Sequence, residues 1–229
     1  MKPDKHQKII DALSELKSWA AAQKKVRLVL GPPVDNKEID SWPGLIAAST
    51  AFLQKVPFQP EQFVIPASYR YFMSLHSFAR IEYNTGKDKW KTYEPFNLYG
   101  STELVKSQYF TRGGWELNGR EIHTTFLTAF ATAGYSVEAS RWCFYTDTDI
   151  ERKVEGELPV LCESNDYECN LAKYVDTGEW IEDACKDPVA YSFEDWFSKL
   201  VAILVAKPFS RKREDEIPDG FYASPSAGK

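Results

Sequence analysis

The spacing of apolar residues changes twice along this chain, and that change constrains its fold more than any other feature. From Lys8 to Gln23, residues Ile9, Ile10, Leu13, Leu16 and Ala20 form one stripe with Trp19 beside it, the spacing of an amphipathic helix. Past Phe78 the apolar residues come instead in short runs cut by Gly, Asn and Pro, the signature of strands and turns. Helical spacing returns near the end, where Ser192 can cap a helix with Glu194 and Asp195 in its first turn. That helix would bury Trp196, Phe197, Leu200, Val201 and Leu204. Helices at both ends of a run of strands predict an α+β fold with the helices packed on one sheet.

Local signals fill in this frame. Val26–Leu30 reads as a short strand stopped by Gly31-Pro32-Pro33, and a second helix is expected from Trp42-Pro43 to near Gln54, with Pro43 in its first turn. Pro57 and Pro60 mark a linker. Ile65, Tyr69, Phe72 and Met73 share one face of a helix that opens at Pro66 and closes at His76. Ala79–Tyr83 and Lys91–Leu98 read as strands around an Asn84-Thr85-Gly86 turn, and Gly113-Gly114 and Asn118-Gly119 punctuate the next stretch. Phe126–Ala131, broken at Gly134, then Arg141–Tyr145 and Leu158–Cys162 complete the strands. The expectation is a twisted mixed β-sheet of about five or six strands flanked by helices, over residues 61–207. An N-terminal helical extension (1–60) would precede it and a flexible tail (208–229) would come after it.

Composition limits the function. Seven Trp, 12 Tyr and 14 Phe suffice for a large core. A net charge of −5 argues against a direct nucleic-acid partner, since neutralising phosphates needs a basic face. The apolar run Leu200–Ala206 is far short of the roughly 20 residues that span a bilayer. The first residues lack the apolar core of a secretory signal, so a cytoplasmic chain without membrane contact is expected. Cys143, Cys162, Cys169 and Cys185 lie 19, 7 and 16 apart, with no C-x-x-C pair, and read as reduced thiols without a metal or other cofactor.

The charge is unevenly spread. Between Asp147 and Asp195 there are 15 acidic residues against 4 basic ones, a net of −11, while residues 1–30 carry a net of +4. Tyr167, Tyr174, Trp180 and Tyr191 interleave the acidic stretch, which marks it as folded surface rather than an acidic tail. Such a surface attracts cationic partners. Asp147, Asp149, Glu151, Glu155, Glu157, Glu163, Asp166 and Glu168 are the candidate acids, with Tyr167 and Trp180 as aromatic anchors of the kind that dominate interfaces. The plain alternative is that these acids only solvate loops.

Signals for catalysis are weak. Asp147-Thr148-Asp149-Ile150-Glu151 alternates like a metal loop but lacks the glycine and distant glutamate of a calcium-binding loop, so a polar turn is the better reading. His6, His76 and His123 have no G-x-S-x-G or comparable nucleophile motif near them, and no phosphate-binding glycine loop is present. No catalytic residue is assigned.

The chain does carry a resemblance. Ile65-Pro66-Ala67-Ser68-Tyr69-Arg70-Tyr71-Phe72 resembles the apolar-Pro-x-x-Tyr-x-x-Phe opening helix of the SUKH superfamily. Phe130–Gly134 followed by Arg141-Trp142-Cys143-Phe144 is similar to that family's central strand pair, and Leu158-Pro159-Val160 to its next strand. Val189-Ala190-Tyr191-Ser192-Phe193-Glu194-Asp195-Trp196-Phe197 resembles its closing helix. The likeness spans residues 60–206. It departs after Phe72, where Met73-Ser74-Leu75-His76-Ser77 stands in place of the usual Asn-Gly, and residues 1–60 have no counterpart. It implies a mixed sheet flanked by helices and no catalytic residues. It also implies a role like that of the bacterial immunity proteins, which bind a cognate toxin, often a nuclease; nucleases that grip phosphate tend to be basic, which agrees with the acidic Asp147–Asp195 stretch. The alternatives are a scaffold in signalling or wall synthesis that docks through residues 1–60, as fungal members suggest, and a hydrolase built on two carboxylates.

Overall fold

The computed structural model describes residues 5–51, 63–111, 115–133, 140–163, 171–181, 184 and 186–210. Their elements, in chain order, are α1 (Gln7–Ala21), β1 (Val26–Leu30), α2 (Asn36–Thr50), α3 (Ala67–Leu75), β2 (Ala79–Asn84), β3 (Trp90–Leu98), α4 (Ser101–Thr111), β4 (Trp115–Leu117), β5 (Arg120–His123), β6 (Leu127–Thr132), β7 (Arg141–Tyr145), β8 (Val160–Glu163), β9 (Lys173–Tyr174) and α5 (Phe193–Val205). The α+β expectation holds. A six-stranded sheet runs β1-β2-β3-β6-β7-β8 and a small one β4-β5-β9. Every pairing among the described strands is antiparallel, so the sheet is not mixed.

The expected boundary near residue 60 does not separate an extension from a body. Strand β1 is an edge of the main sheet, paired from Val26↔Tyr83 to Leu30↔Ala79. Helix α1 buries Ile9, Leu13 and Leu16 in the common core and packs along α5. A stripe of that width has to be covered, and α5 presents the matching apolar face. Gly31 makes the turn out of β1 possible: a Cβ there would stand 2.0 Å from Ser77 Oγ and 2.6 Å from the Phe78 ring. The chain after α5 is also tied down through Ser210. Trp19 Nε1 donates to the Lys207 carbonyl, and the Phe209 ring lies 5.3–6.5 Å from those of Tyr93, Tyr83 and Trp19. The expected tail is therefore packed at its start, because Phe209 gains apolar contact there.

Helix α2 starts seven residues before the expected Pro43. Asp35 caps it, its carboxylate accepting from Lys37 N, and Ile39, Trp42 and Ile46 all point into the core. Pro43 sits inside the helix, on a turn whose burial outweighs one missing hydrogen bond. Helix α4 is the element with no clear apolar stripe. It fills the gap where β3 and β6 pair over only two residues, Asn97↔Thr132 and Leu98↔Ala131. There the buried Gln108 side chain donates to the Ala129 carbonyl and accepts from its N–H, standing in for a strand.

The two faces of the main sheet differ. Alternation puts Trp142 and Phe144 on the α5 side, where they meet Trp196 and Phe193. Tyr83 points the same way, towards Phe209. Cys143 and Tyr145 therefore face the other side, as do Arg80 and Glu82. On that second face the small sheet covers the β6–β7 end, bringing Phe126 and Trp180 onto Tyr145.

Candidate cation-binding site

The site grows out of the end of β7. After Tyr145 and Thr146 the chain turns outward, and Asp147 and Asp149, two residues apart, aim their carboxylates at one point. That point is the ammonium of Lys173 on β9. It donates to Asp147 Oδ2 at 2.9 Å and also to Asp149 Oδ2. The Lys173 side chain is 4 % exposed, its two acids 39 and 41 %. Around it stand three rings, Trp180 at 4.8 Å, Phe126 at 5.0 Å and Tyr145 at 5.9 Å from Nζ. Trp180 and Tyr145 are stacked, with 18° between planes, and Phe126 meets Trp180 edge-on.

Each partner is placed by local structure. The Asn118-Gly119 turn, both residues at positive φ, folds β4 onto β5. Strand β9 then adds to β5 through His123↔Lys173 and Ile122↔Tyr174. The chain turns back at Gly178 (φ +69°), and Trp180 bridges to Lys173, so one short hairpin delivers both the cation and one wall of its surround. A buried ammonium needs such partners, since an unpaired charge in the interior is costly.

The electrostatics agree with the geometry. Burial alone would raise the Asp147 carboxyl, but hydrogen bonds from Lys173 and Thr148 N overcome it and hold the group below the ordinary carboxylate range. Burial pushes the Tyr145 phenol up, helped by both aspartates, and its hydroxyl is buried without a hydrogen-bond partner among the described residues. His123 is held below the ordinary imidazole range by burial and then by the Lys173 charge. Two carboxylates meet one buried ammonium, and two further cations stand near: Arg152 Nη2 donates to the Thr146 carbonyl at 2.8 Å, and Lys186 Nζ lies 5.1 Å over the Trp180 ring. Because both carboxylates bond the same ammonium and Asp147 is held ionised, they form a cation clamp rather than an acid–base couple.

The expected acidic residues divide. Asp147 and Asp149 form the clamp; Glu151 is exposed on the segment that follows it, and Glu155 is exposed next to Gly156, whose carbonyl accepts from Ala67 N at the start of α3. Glu157 and Glu163 face inward, a correction to the expected surface. The Glu157 carboxylate accepts from Ser68 N at 2.8 Å and Ser68 Oγ at 2.6 Å, supplying the anionic cap that Pro66 cannot give α3. Glu163, 6 % exposed, faces Arg141 at 3.4 Å, and burial pushes its carboxyl up to about 7 against the pull of that guanidinium. Trp180 is half-buried, so its ring is a wall of the clamp as much as a surface anchor. Asp166, Tyr167 and Glu168 lie outside the described residues, as do Cys169 and Cys185; Cys143 and Cys162 are buried free thiols. Among the described residues no cluster of His, Cys, Asp and Glu suits a metal ion, and no helix is long and apolar enough to cross a membrane.

Sequence reasoning missed Lys173, Tyr145 and Phe126. The available signal was a lysine set in Leu171-Ala172-Lys173-Tyr174, an apolar context that a solvated lysine has no reason to occupy. Comparisons of the chain with protein-family models, with curated proteins and with solved structures find no match.

Proposed function

We propose that this chain works by binding, capturing a cationic protein at the face around Asp147, Asp149, Glu151 and Glu155. The observation that supports the reading is the excess of 15 acidic over 4 basic residues between Asp147 and Asp195. Lys173 meets two acids, Arg120 meets Asp176 and Glu179, and Glu151 and Glu155 are exposed on the segment after Asp149, which also carries Arg152 and Lys153. An excess of one charge over a folded surface speeds the approach of an oppositely charged partner. In its specific form the reading is an immunity-type protein that neutralises a basic toxin, supported by the SUKH-like motifs in Ile65–Phe72 and Val189–Phe197.

The test uses the double variant Glu151→Gln/Glu155→Gln, which touches exposed side chains alone. The intact chain is expected to retain one basic protein in stoichiometric amount at low salt and release it as salt rises. The variant should associate more slowly and with a shallower salt dependence. Unchanged association kinetics would refute the acidic-face reading. The scaffold alternative cannot be judged by deleting residues 1–60, because that removes β1 and α1 from the fold.

A further inference from the structure

Strand β1 ends the main sheet, with β2 on one side only. Asn84 N donates to the Lys25 carbonyl and Gly31 N to that of Phe78, so the residue pairs flanking the strand are hydrogen-bonded ones. Alternation then turns the N–H and C=O groups of Arg27 and Val29 towards β2, and those of Val26, Leu28 and Leu30 away from the sheet. Among the described residues nothing bonds these outward backbone groups. On the sheet's second face Arg27 begins a charged ladder. Arg27 Nε and Nη2 donate to Glu82 Oε2 at 2.8 and 2.6 Å, and Arg80 Nε donates to Oε1 at 2.8 Å. Arg27 lies 4.2 Å over the Trp90 ring and Arg80 5.1 Å over Phe78. Glu82 is 9 % exposed, Arg27 50 % and Arg80 33 %, so the ladder keeps a surplus positive charge in water beside the open edge.

We propose that the β1 edge takes an extended acidic segment of a partner protein as an added strand. The outward backbone groups set the form of the partner, because an extended polypeptide returns an N–H and a C=O to each of them. Charge sets its sign. Lys24 and Lys25 stand exposed just before the strand, and with Val26 and Phe209 they line a hollow at its start. A second hollow, lined by Ile10, Leu13, Lys17, Leu75 and His76, lies at its far end, where His76 Nδ1 is 3.2 Å from the Gly31 carbonyl. The turn after β2 adds Lys87 and Lys89. The acids on the same stretches are Asp11, Glu15, Glu82 and Asp88, fewer than the cations, and Glu82 is taken by its two arginines. The same charge opposes a second copy, since two β1 strands related by a two-fold axis would bring both sets of Lys24, Lys25 and Arg27 to one junction. Side-chain alternation gives the partner its pattern: acids beside Arg27, and apolar residues beside the half-buried Leu28 and Leu30. This reading goes beyond cation capture, whose acids lie after β7.

Amide hydrogen exchange read by NMR on the full chain tests it, with the synthetic peptide Glu-Val-Glu-Val-Glu-Val-Glu as probe. In the free chain the amides of Leu28 and Leu30 should exchange fast while those of Arg27 and Val29 are protected. Saturating peptide at low salt should slow Leu28 and Leu30 by at least about tenfold. The same peptide N-methylated at its interior residues keeps every charge but loses its donors, and should bind at least about tenfold more weakly. Lys24→Gln/Lys25→Gln, which touches exposed side chains alone, should weaken the unmodified peptide about fivefold, and a thermal melt establishes that this variant is folded. Three results overturn the proposal: no binding of the peptide, binding that leaves Leu28 and Leu30 fast or survives N-methylation, and protection of those two amides already in the free chain. The last would mean that the edge is taken by the chain itself or by a second copy. None of these results bears on the Glu151/Glu155 binding kinetics, so the two readings fail separately.

Discussion

Set side by side, the Lys173 clamp and the Glu82 ladder are two solutions to burying a charge on a sheet. Each keeps a single ion inside and gives it two opposite partners that face water. Lys173 is 4 % exposed and its aspartates about 40 %, while Glu82 is 9 % and its arginines 33–50 %. In both, desolvation falls mainly on one ion and the surplus charge stays hydrated, the cheaper half of the problem. They differ in what they join. Arg27, Glu82 and Arg80 stitch neighbouring strands of one sheet, with the guanidiniums lying on Trp90 of β3 and on Phe78 just before β2. Lys173 joins two sheets, a point charge on β9 held by acids just past β7 and roofed by rings from both. The ladder is local; the clamp is a tertiary clasp.

The difference is broken most directly by removing each central ion. Lys173→Met keeps the apolar stem among the rings but leaves two facing carboxylates. It should cost about 3 kcal/mol in chemical denaturation, the low end for breaking a buried pair because the aspartates can rehydrate. Glu82→Gln leaves two arginines already half in water and should cost about 1 kcal/mol. Equal losses would mean that the clasp holds no more than the stitch.

A third ion, Glu163, sharpens the comparison because among the described residues its carboxylate meets one cation, Arg141. Its carboxyl, raised from 4.5 to about 7, binds a proton in the fold that the unfolded chain releases. The folded state therefore holds the extra proton between those values, and stability falls as pH rises from about 4.5 through 7. Glu163→Gln keeps the neutral form at all pH. It should match the wild type near pH 5 and exceed it by about 2 kcal/mol above pH 7, somewhat below the full value of the shift. Thermal melts across that range give the answer, and parallel curves would show that Arg141 compensates the charge fully.

The ladder, the clasp and the fold were not equally legible in the sequence. Helices α1, α3 and α5 and the strands of the main sheet are written in local periodicity, which depends on neighbours three or two residues away. Helix α4 is not, because its inward Gln108 serves the Ala129 backbone rather than an apolar core. Its one local sign is Gly100-Ser101-Thr102-Glu103, where the glutamate reaches back to Gly100 N, half of a capping box. Of the acids, sequence separates Asp147 from Glu157 not at all. One lies on a surface rim, and the other caps a helix 89 residues earlier in the chain. Such pairings belong to tertiary structure, and composition counts both as acidic surface.

The smallest expected effect discriminates the clasp most sharply. His123 lies beside the clamp, on β5 next to Lys173, with Nδ1 3.0 Å from Thr125 Oγ1. Burial lowers its imidazole first, the Lys173 charge lowers it further, and Asp147 acts the other way. Lys173→Met should therefore raise the His123 titration towards the ordinary value, and Asp147→Asn should lower it further, with burial keeping both below about 6.5. His76 serves as an internal reference: its imidazole is lowered by burial and by Lys17, and it lies at the end of α3 beside the Gly31 carbonyl. Imidazole signals tracked by NMR should show His123 moving in opposite directions in the two variants while His76 stays still. A folded protein binds protons more weakly at a lowered histidine, so its stability falls as pH drops below about 6.5. Lys173→Met should blunt that acid sensitivity, and Asp147→Asn should deepen it. If His123 moves the same way in both, the ammonium and the carboxylate do not act on it as separate charges, and the clamp is a packing arrangement rather than an electrostatic one.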